Sequence, residues 1–117
     1  MNAAYVRDVA QLPTFGVGDD ALLSLKLHNP RAAEVYVMGV RRILHRQGLG
    51  RALMAAADDY LRGRRFEYLQ VKTLGSSDPD EGYRQTRAFY AARGFVALEE
   101  IHGLWEHNPC LLMVKRL

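Results

Sequence analysis

The stretch HRQGLGRAL, His45 to Leu53, constrains this chain most: two glycines separated by one leucine hand a strand-like run directly to a helical stripe. Upstream, AEVYVMGV (33–40) is rich in β-branched and aromatic residues and reads as a strand. Downstream, Leu49, Leu53, Ala56, Ala57, Tyr60 and Leu61 recur at helical spacing. That spacing predicts a helix from about Gly48 to Arg62, with Gly63 placed to cap its end. A strand that turns straight into a helix needs a sheet to join and a face to cover, so the chain reads as α/β (α+β).

The remaining runs extend this unit. ALLSLKL (21–27) alternates as a strand does, and the turn residues HNPR (28–31) join it to 33–40 as a hairpin. FEYLQVKTL (66–74) reads as a third strand, GSSDPDEG (75–82) as an acidic loop, and YRQTRAFYAAR (83–93) as a second helix stopped by Gly94. FVALEEIH (95–102) and PCLLMVKRL (109–117) complete the order ββαβαββ, a mixed sheet with helices packed on it. Ahead of Ala21 the pattern is weak, and TFGVGDD (14–20) reads as a hairpin turn or a ragged strand start.

Composition sets the outer bounds. A chain of 117 residues suits one domain, 1–117, and its 49% apolar residues suffice for a packed core. The sequence has no run of eighteen apolar residues and its first residues form no apolar leader, so the expectation is no membrane span and a cytoplasmic location. The single cysteine, Cys110, cannot form an internal disulfide and fits that location. Net charge is +3, with arginines clustered at 41–42, 62–65 and 84–93. Arginine forks suit phosphate, whereas the absence of aromatic–basic interleaving speaks against a nucleic-acid partner.

The glycine turn has a chemical reading and a plain one. A helix start offers unpaired N–H groups at the positive end of its dipole, and glycines let a ligand approach the backbone closely. Arg46 and Arg51 could add charge-assisted bonds to a phosphate. GLGRA lacks the Gly-Lys-Ser/Thr of a P-loop and the third glycine of a dinucleotide fingerprint. On these residues alone a phosphate cradle and a simple strand-to-helix turn both stand.

AFYAARGF (88–95) separates them. Together the two motifs resemble the GNAT superfamily of N-acetyltransferases, over about Ala21 to Leu117. The family's Q/R-x-x-G-x-G/A loop falls on His45, Arg46, Gln47, Gly48, Leu49 and Gly50, with histidine in the first place. The resemblance implies a GNAT-like, mostly antiparallel sheet and acetyl-CoA as co-substrate, its pyrophosphate on the backbone amides of this loop and Arg51 beside it. It implies that pantetheine pairs with Met38, Gly39 and Val40 as an added strand would, with a bulge placed at Gly39. It implies transfer of acetyl to a primary amine, on a small molecule or a protein, by direct attack, with Tyr90 protonating the departing thiolate and no metal. Glu34, on the strand before the loop, is the base of choice, sharing a face with Tyr36 by strand alternation; His28 is a second option. The alternative is a CoA-binding or structural relic of the fold. The family's usual first strand and helices have no counterpart in the weakly patterned first twenty residues. The resulting uncovered apolar sheet surface predicts a homodimer or larger homo-oligomer.

Other reactive residues read more plainly. Cys110 in an apolar strand reads as a core residue. His102 and His107 flank Glu106 without a third ligand at metal spacing. The pair Glu99 and Glu100 reads as having one exposed member, and Trp105 as a hairpin tip or an acceptor-pocket wall.

Overall fold

A computed structural model describes residues 5–9, 12–41, 48–75, 81–106 and 108–117. The elements are β1 (Tyr5–Val9), β2 (Leu12–Val17), β3 (Ala21–Asn29), β4 (Ala32–Val40), α1 (Leu49–Gly63), β5 (Tyr68–Leu74), α2 (Glu81–Ala92), β6 (Val96–Ile101) and β7 (Cys110–Arg116). The chain divides into two compact units, Met1–Leu69 with Leu117, and Gln70–Arg116.

In the first unit β1 to β4 pair in sequence order, each antiparallel to the next. Leu23 and Leu25 of β3, Ala33 and Val35 of β4, and Phe15 and Val17 of β2 are buried. α1 lies against β2, β3 and β4 and buries Leu49, Leu53, Met54, Ala57 and Leu61. Its alanine-rich interior favours the helix intrinsically, and the leucine stripe supplies the packing that holds it. Phe15 meets Tyr60 of α1 edge-to-face, with ring centroids 5.4 Å apart.

The β3–β4 hairpin turns at Pro30 and Arg31, where the Asn29 side chain accepts hydrogen bonds from the Arg31 and Ala32 amides (2.8 and 2.9 Å). Its ladder holds two irregularities. Leu27 faces Ala33 while Asn29 faces Ala32, which leaves His28 as an extra residue on β3. Leu25 faces Val35 while Ser24 faces Val37, which leaves Tyr36 as an extra residue on β4.

In the second unit β7 lies between β5 and β6 and pairs antiparallel with β6. Its buried residues include Val71, Tyr90, Phe95, Cys110 and Met113. The Lys115 ammonium donates to the Arg93 carbonyl at 3.1 Å and sits 4.9 Å from the Phe95 ring centroid, placing a cation at the negative end of α2. Arg87 of α2 donates to the carbonyls of Leu74 and Gly75 (2.8 and 3.1 Å), tying the helix to the end of β5.

The mixed α+β class holds, and from Ala21 onward the elements follow ββαβαββ. Ahead of Ala21 the structure adds β1 and β2, so the described order is ββββαβαββ. β2 hides from a pattern reading because Pro13 and Gly16 interrupt it and Phe15, Gly16 and Val17 are buried in succession. Pro13 is accommodated because the β2–β3 ladder begins only at Thr14.

Candidate functional site

The glycine turn delivers α1 with a bare start. Gly48 occupies the N-cap position at φ +83°, a left-handed conformation that side chains resist, and a Cβ built there would meet nothing within 4 Å. The glycine is therefore required by its backbone angle, not by crowding. α1 has no side-chain cap and no acidic residue in its first turn. Among the described residues no side chain caps its opening amides, and Arg51, exposed in that turn, adds positive charge to the same end. An anion satisfies such a terminus. Leu49 is buried and Gly50 half-buried; His45, Arg46 and Gln47 lie outside the described residues.

Met38, Gly39 and Val40 stand opposite Leu23, Leu22 and Ala21 on the β3 ladder. The bulge expected at Gly39 lies instead at Tyr36, and Gly39 itself is regular, exposed and open on its Cβ side. The bulge changes the phase of β4. Ala33 and Val35 are buried, and past Tyr36 the less exposed positions are Met38 and Val40 rather than Val37 and Gly39. Glu34 and Tyr36 differ in exposure, 6% against 55%, while Lys26, directly across the ladder from Glu34, reaches the Tyr36 ring.

Glu34 and His28 are brought together. Their Oε1 and Nε2 atoms are 2.8 Å apart, with side-chain exposures of 8% for the glutamate and 33% for the histidine. The sequence offers these two residues as separate candidates; the bulge at His28 makes them partners. Lys26, directly across the ladder from Glu34, holds its ammonium 5.8 Å from the Tyr36 ring centroid.

Tyr90 belongs to the second unit, on the last turn of α2, and is 7% exposed. Its ring meets Phe89 and Phe95 edge-to-face at centroid distances of 5.6 and 5.5 Å. Burial raises its pKa above the usual 10.0, because the ionised phenolate loses hydration. The hydroxyl consequently stays protonated at neutral and mildly alkaline pH, as a proton donor must.

Several arginines, Arg41 and Arg64 of the basic clusters among them, serve the fold. Arg41 pairs with Asp20 (3.2 Å), and its amide bonds the Asp20 carbonyl (2.7 Å). Arg64 stacks on Tyr60 with its guanidinium carbon 3.6 Å from the ring centroid. Arg31 pairs with Glu67. Cys110 is fully buried, Glu99 is exposed, and Glu100 lies 3.4 Å from His102. Trp105 is half-buried and lines a shallow groove with His102, Glu106 and Pro109. His107 lies outside the described residues.

Residues 15–95 match the acetyltransferase (GNAT) family. The chain is 35% identical over 92 residues to a mycothiol acetyltransferase from Beutenbergia cavernae, a match covering 74% of this chain and 29% of that protein. The chain therefore spans under a third of that relative's length. Two solved structures share the fold. One is a GNAT family acetyltransferase from Elizabethkingia anophelis with acetyl-CoA bound (TM-score 0.76, 14% identity, 92% of this chain and 77% of that one). The other is the ribosomal-protein-S18-alanine N-acetyltransferase from Escherichia coli (TM-score 0.75, 20% identity, 93% and 71%). With more than half its residues matched, the chain belongs to the acetyltransferase (GNAT) family.

Proposed function

We propose that the chain transfers acetyl from acetyl-CoA to a primary amine by direct attack of nitrogen on the thioester carbonyl. The observation that carries this reading is Gly48 at φ +83° opening the uncapped, acid-free start of α1. A pyrophosphate there accepts hydrogen bonds from the first amides of the helix, with Arg51 adding charge. Met38, Gly39 and Val40 lead β4 towards the glycine loop, and the pantetheine arm lies along them as an added strand would. A backbone N–H of that segment polarises the acetyl carbonyl as negative charge develops on its oxygen. As the C–N bond forms and the C–S bond breaks, the departing thiolate takes a proton from the Tyr90 hydroxyl. The named activities of a mycothiol acetyltransferase and of an alanine N-acetyltransferase among similar proteins support acetyl transfer as the reaction class.

Calorimetric titration with coenzyme A tests the first half. Saturable binding that weakens on Arg51→Ala is expected; a folded protein that binds no coenzyme A overturns the reading. In Tyr90→Phe the release of thiol from acetyl-CoA should fall by about 10²-fold or more, while coenzyme A binding is unchanged. Undiminished turnover in that variant would remove Tyr90 from the mechanism.

A further inference from the structure

Glu34 sits poorly for the task of meeting an amine directly. Its side chain is only 8% exposed, and one carboxylate oxygen already lies 2.8 Å from His28. The part of this pair that solvent reaches is the imidazole, one third exposed. We infer that His28 is the group that takes the proton from the incoming ammonium, and that Glu34 is a positioning residue acting through it.

Three observations lead there. First, His28 is the extra residue of a β-bulge, a local distortion that re-aims a side chain at some expense of ladder regularity. Second, the bond to Glu34 uses Nε2. With the carboxylate ionised, the proton resides on that nitrogen and the lone pair resides on Nδ1, so a buried acid fixes the tautomer and orientation of an accessible base. Third, the histidine is the more accessible of the two, with a side-chain exposure of 33% against 8% for the glutamate. The neighbouring cation, Lys26, lies over Tyr36, with its ammonium 5.8 Å from that ring's centroid.

The step is a proton transfer. An N–H bond of R–NH3⁺ breaks with its electron pair left on nitrogen, the proton goes to Nδ1 of His28, and the imidazolium returns it to water. The neutral amine then attacks. This inference rests on the acetyltransferase reading above, and its test separates the two. The pair could instead be a brace for the hairpin, and His28→Gln distinguishes the roles, because an amide can still donate to Glu34 but cannot carry the proton.

Thiol release from acetyl-CoA is followed for the wild type, His28→Ala and His28→Gln, with spermidine, glucosamine and a peptide bearing a free N-terminal alanine as acceptors. Thermal unfolding of each protein is recorded alongside. The expected result is that kcat falls at least tenfold in both variants, with His28→Gln no better than His28→Ala, KM for acetyl-CoA unchanged, and added imidazole restoring turnover to His28→Ala. A His28→Gln protein with kcat within twofold of wild type overturns the base assignment and leaves acetyl transfer intact. Wild-type protein that neither turns over acetyl-CoA nor binds coenzyme A overturns the functional reading, and the role of His28 with it.

Discussion

The two helices end in one motif built from different residues. At the end of α2 the Phe95 amide bonds the Tyr90 carbonyl (3.1 Å) and the Gly94 amide bonds that of Ala91 (3.1 Å), with Gly94 at φ +102°. At the end of α1 the Phe66 amide bonds the Leu61 carbonyl (2.9 Å) and the Arg65 amide bonds that of Arg62 (3.0 Å), with Arg65 at φ +66°. Both are Schellman ends with a phenylalanine just beyond the left-handed residue. One has the expected glycine; the other holds an arginine in a conformation that costs an L-residue roughly 1–2 kcal/mol. Gly63, two residues upstream, is the last residue of α1 and caps nothing.

The reason lies in which side chains the motif brings together. A left-handed turn at Gly63 would set Arg64 against Asp59, two polar residues. A turn at Arg65 sets Phe66 against Leu61, and Leu61 is fully buried. Setting half-buried Phe66 beside buried Leu61 therefore outweighs the preference for glycine. At α2 the two demands agree, since the turn at Gly94 sets Phe95 against Tyr90.

This comparison can be broken at its strongest point. Leu61→Ala should destabilise the protein by about 3 kcal/mol in urea unfolding, from lost burial and the cavity left behind. A loss below about 1 kcal/mol would mean that the Leu61–Phe66 pair does not place the end of α1. Gly94→Ala should cost about 1–2 kcal/mol, since its angle is hostile to a Cβ although the nearest neighbour, Lys115 Cδ, is 3.7 Å away. Because the Tyr90 carbonyl belongs to this motif, the same variant should lower kcat more than it alters coenzyme A affinity. The smallest effects sharpen the contrast. Gly63→Ala should stabilise by roughly 0.5–1 kcal/mol, as a helical position open on its Cβ side. Arg65→Gly should stabilise by about 0.5 kcal/mol, strain relief exceeding the extra backbone entropy of glycine. Opposite signs for this pair would reinstate Gly63 as the cap.

What the sequence reveals follows the same division. Where local preference and tertiary demand agree, the reading holds: the 21–40 hairpin, the α1 stripe, the Gly48 turn and the Gly94 stop are all legible from periodicity and glycine placement. Where they diverge, it slips. AEVYVMGV reads as a plain strand, and nothing in it announces that Tyr36 will be passed over by the ladder. The partnership of His28 with Glu34 is invisible for the same reason, since HNPR looks like turn from end to end while β3 runs on through His28 to Asn29. Met54, three residues before Ala57 and seven before Leu61, extends the edge of the leucine stripe, and at 1% exposed it belongs to the buried face that the stripe alone does not name.

The Tyr36 bulge has a consequence for how this strand tolerates changes of length. β4 carries one residue more than β3 requires between Glu34, opposite Lys26, and Val40, opposite Ala21. Removing a single codon in that interval can be absorbed by straightening the strand, with Val40 still delivered to the same rung and the glycine loop still leaving from the same place. Adding a codon has no such outlet: the strand must widen its bulge or turn its following residues over, inner face for outer. Deletion and insertion, equal in size, are therefore unequal in effect here, and the spare residue acts as slack in a line that otherwise has none.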